Sequence, residues 1–140
     1  MLLDTETRAY IESQRVGRLA TVDQRGRPHA VPVCFALDRD TVYSAIDEKP
    51  KRSGELRRIA NIRANPRVQL LLDIYDDADW TRLRYVQLRG TARIVEAGEE
   101  HARAITLLRT RYAQYASMAL ESRPVIAIDV DRVVGWRGAP

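Results

Sequence analysis

Residues 17–46 read GRLATVDQRGRPHAVPVCFALDRDTVYSAI. Three apolar runs are separated by two short polar turns, and this spacing decides the fold class. Asp23-Gln24-Arg25-Gly26 carries the glycine that a tight hairpin turn needs, and Asp38-Arg39-Asp40 makes a second turn. Runs joined this closely pair antiparallel. The reading predicts strands over Gly17–Val22, Pro28–Leu37 and Thr41–Ile46. In the second run Val31, Val33, Phe35 and Leu37 fall on one side, and Ala30, Pro32, Cys34 and Ala36 on the other. One face is bulky and the other uniformly small, which lets a flat ring or another backbone come close. Pro32 cannot donate to a ladder, so this strand belongs at an edge or a bulge.

Outward from this stretch, Asp4 is placed to cap a helix through about Gln14. A helix is predicted over about Ser53–Ala64, stopped by Asn65-Pro66. Val68–Tyr75 alternates as a strand does. An acidic loop, Asp76–Thr81, carries Trp80 and leads to a strand over Leu83–Val95, where Gly90 suggests a bulge or bend. A longer helix is predicted over about Ala97–Ala116, with His101, Ile105, Leu108, Tyr112 and Tyr115 on one face. A last strand over about Pro124–Val134 precedes Gly135-Trp136-Arg137-Gly138. Hairpins of this kind exclude a doubly wound parallel sheet. The expected fold is mainly β with helices (α+β), a six-stranded antiparallel barrel or two-sheet sandwich in a single domain over residues 1–140.

The 140 residues are 45% hydrophobic and 30% charged, which suits a packed domain and argues against disorder. No run approaches the roughly 20 apolar residues that span a bilayer. The opening MLLDTETRAY lacks the basic and apolar regions of a secretory signal, so the expected compartment is the cytoplasm. One cysteine, Cys34, excludes an internal disulfide, and with only His29 and His101 beside it no zinc site is expected. His101 is expected to be structural, and Cys34 a small core residue. The chain has no Gly-x-Gly-x-x-Gly, no Walker-type phosphate loop and no Gly-x-Ser-x-Gly elbow.

The net charge is +4, and residues 47–67 account for all of it. Lys49, Lys51, Arg52, Arg57, Arg58, Arg63 and Arg67 stand there against Asp47, Glu48 and Glu55. Within DEKPKRSGELRR the cations crowd a helix N-terminus, where each is unfavourable by about 0.3–1 kcal/mol. A bound anion would resolve the conflict, and a phosphate is the obvious candidate. The alternative is a solvated basic loop whose arginines pair with Asp47, Glu48 and Glu55. A single-strand nucleic-acid site is disfavoured, because residues 47–67 contain no Phe, Tyr or Trp on which bases could stack.

The run over 17–46 resembles the opening strands of the pyridoxamine 5′-phosphate oxidase-like, FMN-binding split β-barrel family, which share an L-A-T-x-x-x-x-G-x-P opening and a V-P-V strand. Residues 49–95, KPKRSGELRRIANIRANPRVQLLLDIYDDADWTRLRYVQLRGTARIV, resemble the probable coenzyme F-420-dependent subgroup, in which K-P-K, N-I-x-x-N-P-x-V and D-W-x-x-L occur in this order. The closing RVVGWRG is similar to that subgroup's ending.

The resemblance implies a homodimer of split barrels with cofactor sites at the interface. Lys49, Lys51, Arg52 and Arg57 or Arg58 would meet the cofactor's phosphate or tail. Ser44, Ala45 and Ile46 would give backbone contacts beside the ring, flanked by Pro32 and Val33. Trp80, Arg82 and Trp136 would reach over from the partner subunit. The implied activity is hydride transfer to a small organic substrate with coenzyme F-420, or with FMN as alternative. No catalytic acid or base is required, because the cofactor carries the chemistry. A non-catalytic cofactor carrier is the competing reading. No membrane or nucleic-acid partner is expected.

Overall fold

The structure, a computed structural model, describes residues 1–47 and 55–139. Helix α1 (Thr5–Ser13) starts where the sequence places it: Asp4 Oδ1 accepts from the Thr7 N–H at 2.8 Å. It buries Tyr10 and Ile11. Strands β1 (Gly17–Val22) and β2 (Pro28–Val33) pair antiparallel around the predicted turn. Asp23 Oδ1 accepts from the N–H groups of Arg25 and Arg27, and Gly26 takes a φ of +79°. Strands β3 (Ala36–Asp38) and β4 (Thr41–Ala45) form the second hairpin. The chain continues through α2 (Arg57–Ala64), β5 (Arg67–Ile74), a 3-10 turn (Trp80–Arg82) and β6 (Arg84–Val95). It then forms α3 (Glu99–Arg111), a second 3-10 turn (Ala113–Ser117) and β7 (Val125–Arg137).

The sheet therefore has seven strands among the described residues, where the sequence reading expects six. The single strand expected over Pro28–Leu37 is two, broken at Cys34 and Phe35. The cause lies far along the chain. The Tyr112 hydroxyl accepts from the Phe35 N–H at 3.0 Å and sits 3.0 Å from the Phe35 carbonyl oxygen, so a side chain replaces the ladder there. The alternation survives the break. Val33 and Phe35 belong to the larger core, with Val31 and Leu37 packed against it, while Ala36 belongs to the smaller one, with Cys34 packed against that.

All neighbours in the sheet are antiparallel, in the order β2-β1-β5-β6-β7-β4-β3. β2 and β3 are the two borders, yet only two residues separate them. The three steps from Val33 to Ala36 reach about 10 Å at most, so the sheet must curl until its borders meet at Cys34 and Phe35. Inside the curl lies one core, with Leu19, Phe35, Leu70, Leu88, Ile126 and Ile128 fully buried. Each such side chain contributes about 1.5–3 kcal/mol of burial. A second core joins α3 to β3, β4 and β7 through Tyr43, Ala104, Leu108, Tyr115 and Ala127. The bend expected at Gly90 is present as a register shift between Arg89 and Gly90, where the backbone of Asp129 leaves no room for a Cβ.

The long helix expected over 97–116 ends at Arg111, and Tyr115 keeps its buried position on the 3-10 turn that follows. His101 is structural, its Nε2 lying 2.7 Å from the carbonyl oxygen of Arg123. No helix among the described residues is long and apolar enough to cross a membrane.

Candidate functional site

Where the curled borders fail to pair, the fold has a seam. The end of β2 supplies Pro32 and Val33 to it, and the end of β4 supplies Ser44 and Ala45. With Val16, Cys34, Asp47 and Arg58 these residues line a pocket of about 160 Å³. β2 is a border strand, as Pro32 requires, because a proline deep in a sheet would break a ladder bond. Ser44 and Ala45 are buried and small, so the wall they form is low.

The cation comes from α2. That helix turns Arg58, Ile59, Asn61 and Ile62 inward. The apolar pair joins the core, and Asn61 Nδ2 donates to the buried Thr21 hydroxyl at 3.0 Å. Arg58 is only 7% exposed and reaches the pocket wall. The helix starts at Leu56, with no side-chain cap and no acid in its first turn. The partial positive charge of its N-terminus therefore adds to that of Arg58. Small walls with a buried guanidinium at one end suit a flat ring bearing an anionic substituent.

Of the predicted site residues, Pro32, Val33, Ser44, Ala45 and Arg58 meet in this pocket. Arg57, its neighbour in sequence, is exposed and lines a separate cleft with Arg25, Arg27 and Asn61. Ile46 turns its side chain into the core, and its N–H donates to the carbonyl oxygen of Pro124 at 3.3 Å, so neither of these faces the pocket. Lys49, Lys51 and Arg52 lie outside the described residues. Arg63, another cation of the basic segment, is held by Glu55 at 2.6 Å and Glu96 at 3.2 Å.

Trp80, Arg82 and Trp136 gather elsewhere, around the start of β6 and the end of β7. Trp80 is 66% exposed, Arg82 lies 3.5 Å from Asp76, and Trp136 stacks on Tyr85 with ring centroids 6.1 Å apart. None of the three lines the seam pocket of its own chain.

Three lining residues escape the sequence reading. Cys34, expected in the core, is half-buried at the strand break and borders the pocket. Val16 precedes the first strand and carries no signal of its own. Asp47 is held by the Tyr115 hydroxyl, which donates to its Oδ2 at 2.7 Å. Burial first, and then this hydrogen bond, push the Tyr115 hydroxyl above its ordinary pKa. Among the described residues no group of His, Cys, Asp and Glu side chains is arranged to hold a metal ion.

Comparison with known proteins places this geometry. A 5a,11a-dehydrotetracycline/5a,11a-dehydrooxytetracycline reductase of Streptomyces rimosus is 34% identical over 94 residues, 67% of this chain and 65% of the relative. The chain thus matches just under two thirds of that enzyme's length. A conserved hypothetical protein of Mycobacterium tuberculosis superposes over 99% of this chain and 86% of its own, with a TM-score of 0.80 and 24% identity. An FAD-binding protein of Mesorhizobium loti covers 95% of this chain and 92% of its own, at a TM-score of 0.72 and 22% identity. A heme storage protein of Vibrio cholerae covers 98% and 95%, at a TM-score of 0.71 and 18% identity. At these identities the structures share the fold, and the groups named for them differ. The match to the pyridoxamine 5′-phosphate oxidase family runs over residues 3–137, taking in every strand and both walls of the seam, and the chain belongs to that family.

Proposed function

We propose that the protein is an oxidoreductase that seats a flavin-type cofactor in the seam and transfers hydride to a small organic substrate. Coenzyme F-420 is the cofactor of this reading, with FMN as the alternative. The observation that carries it is the convergence of Pro32, Val33, Ser44 and Ala45 with buried Arg58 on one pocket. The reductase activity named for the Streptomyces relative and the FAD binding named for the Mesorhizobium protein support it.

When bound, the cofactor would supply two-electron chemistry at its own ring. The chain's part is to bind, orient and shield. Pro32 and Val33 flank the ring, and Ser44 and Ala45 leave room beside it. Arg58 neutralises the phosphate, with Lys49, Lys51 and Arg52 as further cations of the same segment. A pocket open at a border strand also calls for a cover. In a homodimer, Trp80, Arg82 and Trp136 of the second copy supply that cover.

Titration of the protein with F-420 and with FMN, read by absorbance and fluorescence, tests the assignment. Arg58→Met keeps the length of the side chain and removes its charge. It is expected to weaken binding at least tenfold, about 1.4 kcal/mol or more; equal affinity would remove Arg58 from the phosphate site. Steady reduction of an acceptor by the loaded protein separates an enzyme from a carrier.

A further inference from the structure

Beside the seam pocket lies a larger cleft of about 580 Å³, within the range of sites that hold small organic molecules. Val16, Cys34 and Asp47 line both cavities, so the two are contiguous. The remaining wall comes from the end of α3 and the 3-10 turn after it, chiefly Tyr112, Tyr115 and Met118.

The charged groups of this wall already have hydrogen-bond partners. Arg111 donates to the carbonyl oxygens of Glu12 and Gln14 and to the Tyr112 hydroxyl. Arg15 donates to the Arg111 carbonyl oxygen at 2.7 Å, and Asp47 accepts from Tyr115. These contacts turn the Arg111 donors onto main-chain and phenol oxygens and tie Asp47 to Tyr115, so much of the directed hydrogen bonding of the wall is used within the protein. The apolar groups are in the opposite condition. Val16 and Met118 are among the few large hydrophobic side chains left exposed, at 38% and 36%, and both border this cleft. Tyr112 and Tyr115 meet edge to face, with centroids 5.6 Å apart. Aromatic and thioether walls favour a conjugated ring over a flexible aliphatic chain.

We infer that this cleft is the acceptor subsite of the proposed reductase and takes an uncharged, conjugated ring compound, held against Tyr112, Tyr115 and Met118 beside the cofactor pocket. The inference rests on the cofactor reading for its role, and its binding chemistry can be tested apart from that reading. The probe is 9-fluorenone, a flat uncharged ketone that does not alkylate thiols, with 9-fluorenone-4-carboxylate as its anionic counterpart. Equilibrium dialysis against the full chain saturated with FMN is expected to show saturable fluorenone binding, and the carboxylate at least tenfold weaker. Met118→Lys and Ala113→Trp alter exposed residues of the wall, by charge and by bulk. Each is expected to weaken fluorenone binding at least tenfold while FMN affinity stays within twofold.

No fluorenone binding, binding unchanged in both variants, equal affinity for the carboxylate, or displacement of fluorenone by FMN would overturn the assignment. If FMN and F-420 both fail to bind, the cofactor reading falls; dialysis of fluorenone against the unloaded wild type and the two variants then still decides what the cleft holds.

Discussion

Every residue of β6 from Arg84 to Val95 has a partner on β7, and the charges across that ladder hold one another. Arg93 reaches Glu100 at 2.9 Å and Asp129 at 2.6 Å, and Arg67 meets Asp131 across the same face. At the seam, by contrast, β2 has β1 as its one neighbour among the described residues, and Pro28 and Pro32 sit in its ladder. There the guanidinium of Arg58 is buried at a cavity wall, whereas Arg67 and Arg93 lie at the surface. One side of the molecule is organised to close the sheet and the other to keep it open. The presence of arginine alone does not separate them, since it occurs in both.

The comparison breaks most visibly at Gly90. A Cβ there would overlap the carbonyl of Asp129, and backbone cannot yield as a flexible side chain can. Gly90→Ala is expected to cost about 3 kcal/mol in urea denaturation, with FMN affinity of the folded fraction within twofold. A change in affinity of the same order as the loss of stability would mean that the two sides are not independent.

Tyr112→Phe probes the join between them. It leaves the Phe35 N–H without the hydroxyl that accepts from it, and frees a strand break that forms the seam. The expected cost is about 2 kcal/mol, and here FMN binding should weaken several-fold as well. Unaltered binding would show that the seam keeps its shape without this tether.

The smallest effect belongs to the ladder's charge network. Hydrogen bonds from Arg93, and then from Tyr43, hold the Glu100 carboxyl down at about 2, from an ordinary 4.5. A depressed acid stabilises the fold above its ordinary pKa and ceases to do so as pH falls toward the lowered one. Glu100→Gln is therefore expected to be less stable by about 1 kcal/mol at neutral pH, allowing for solvent screening. That difference should hold from pH 6 to 8, shrink below 4.5 and vanish near 2 in denaturation curves, with cofactor affinity unmoved. A difference independent of pH would assign the effect to packing.

Local signals carried much of the fold. The Asp4 cap, the Gly26 turn, the edge position of Pro32 and the bend at Gly90 each follow from what one residue can or cannot do. The face pattern of Val31, Val33, Phe35 and Leu37 against Cys34 and Ala36 also held, because burial rather than ladder bonding sets it. The strand break was not legible, since its cause is a hydroxyl 77 residues away. The early end of α3 has the same origin, as Tyr112 leaves the helix to reach Phe35 and Arg15.

At the site, residue types indicated small walls and a cation, and five of the selected residues do meet. Choosing Arg58 over Arg57 required knowing which side of α2 faces inward. Asp47 and Val16 became visible only once Tyr115 and the strand break were in place.

The two-residue link at Cys34 and Phe35 has a consequence for how molecules of this protein meet one another. An open sheet presents two straight rims on which foreign strands can lengthen it, a route to polymerisation. Here the rims are drawn together at one point, and one of them lacks a donor at Pro32. Neither offers a long template on which another chain could add as a strand.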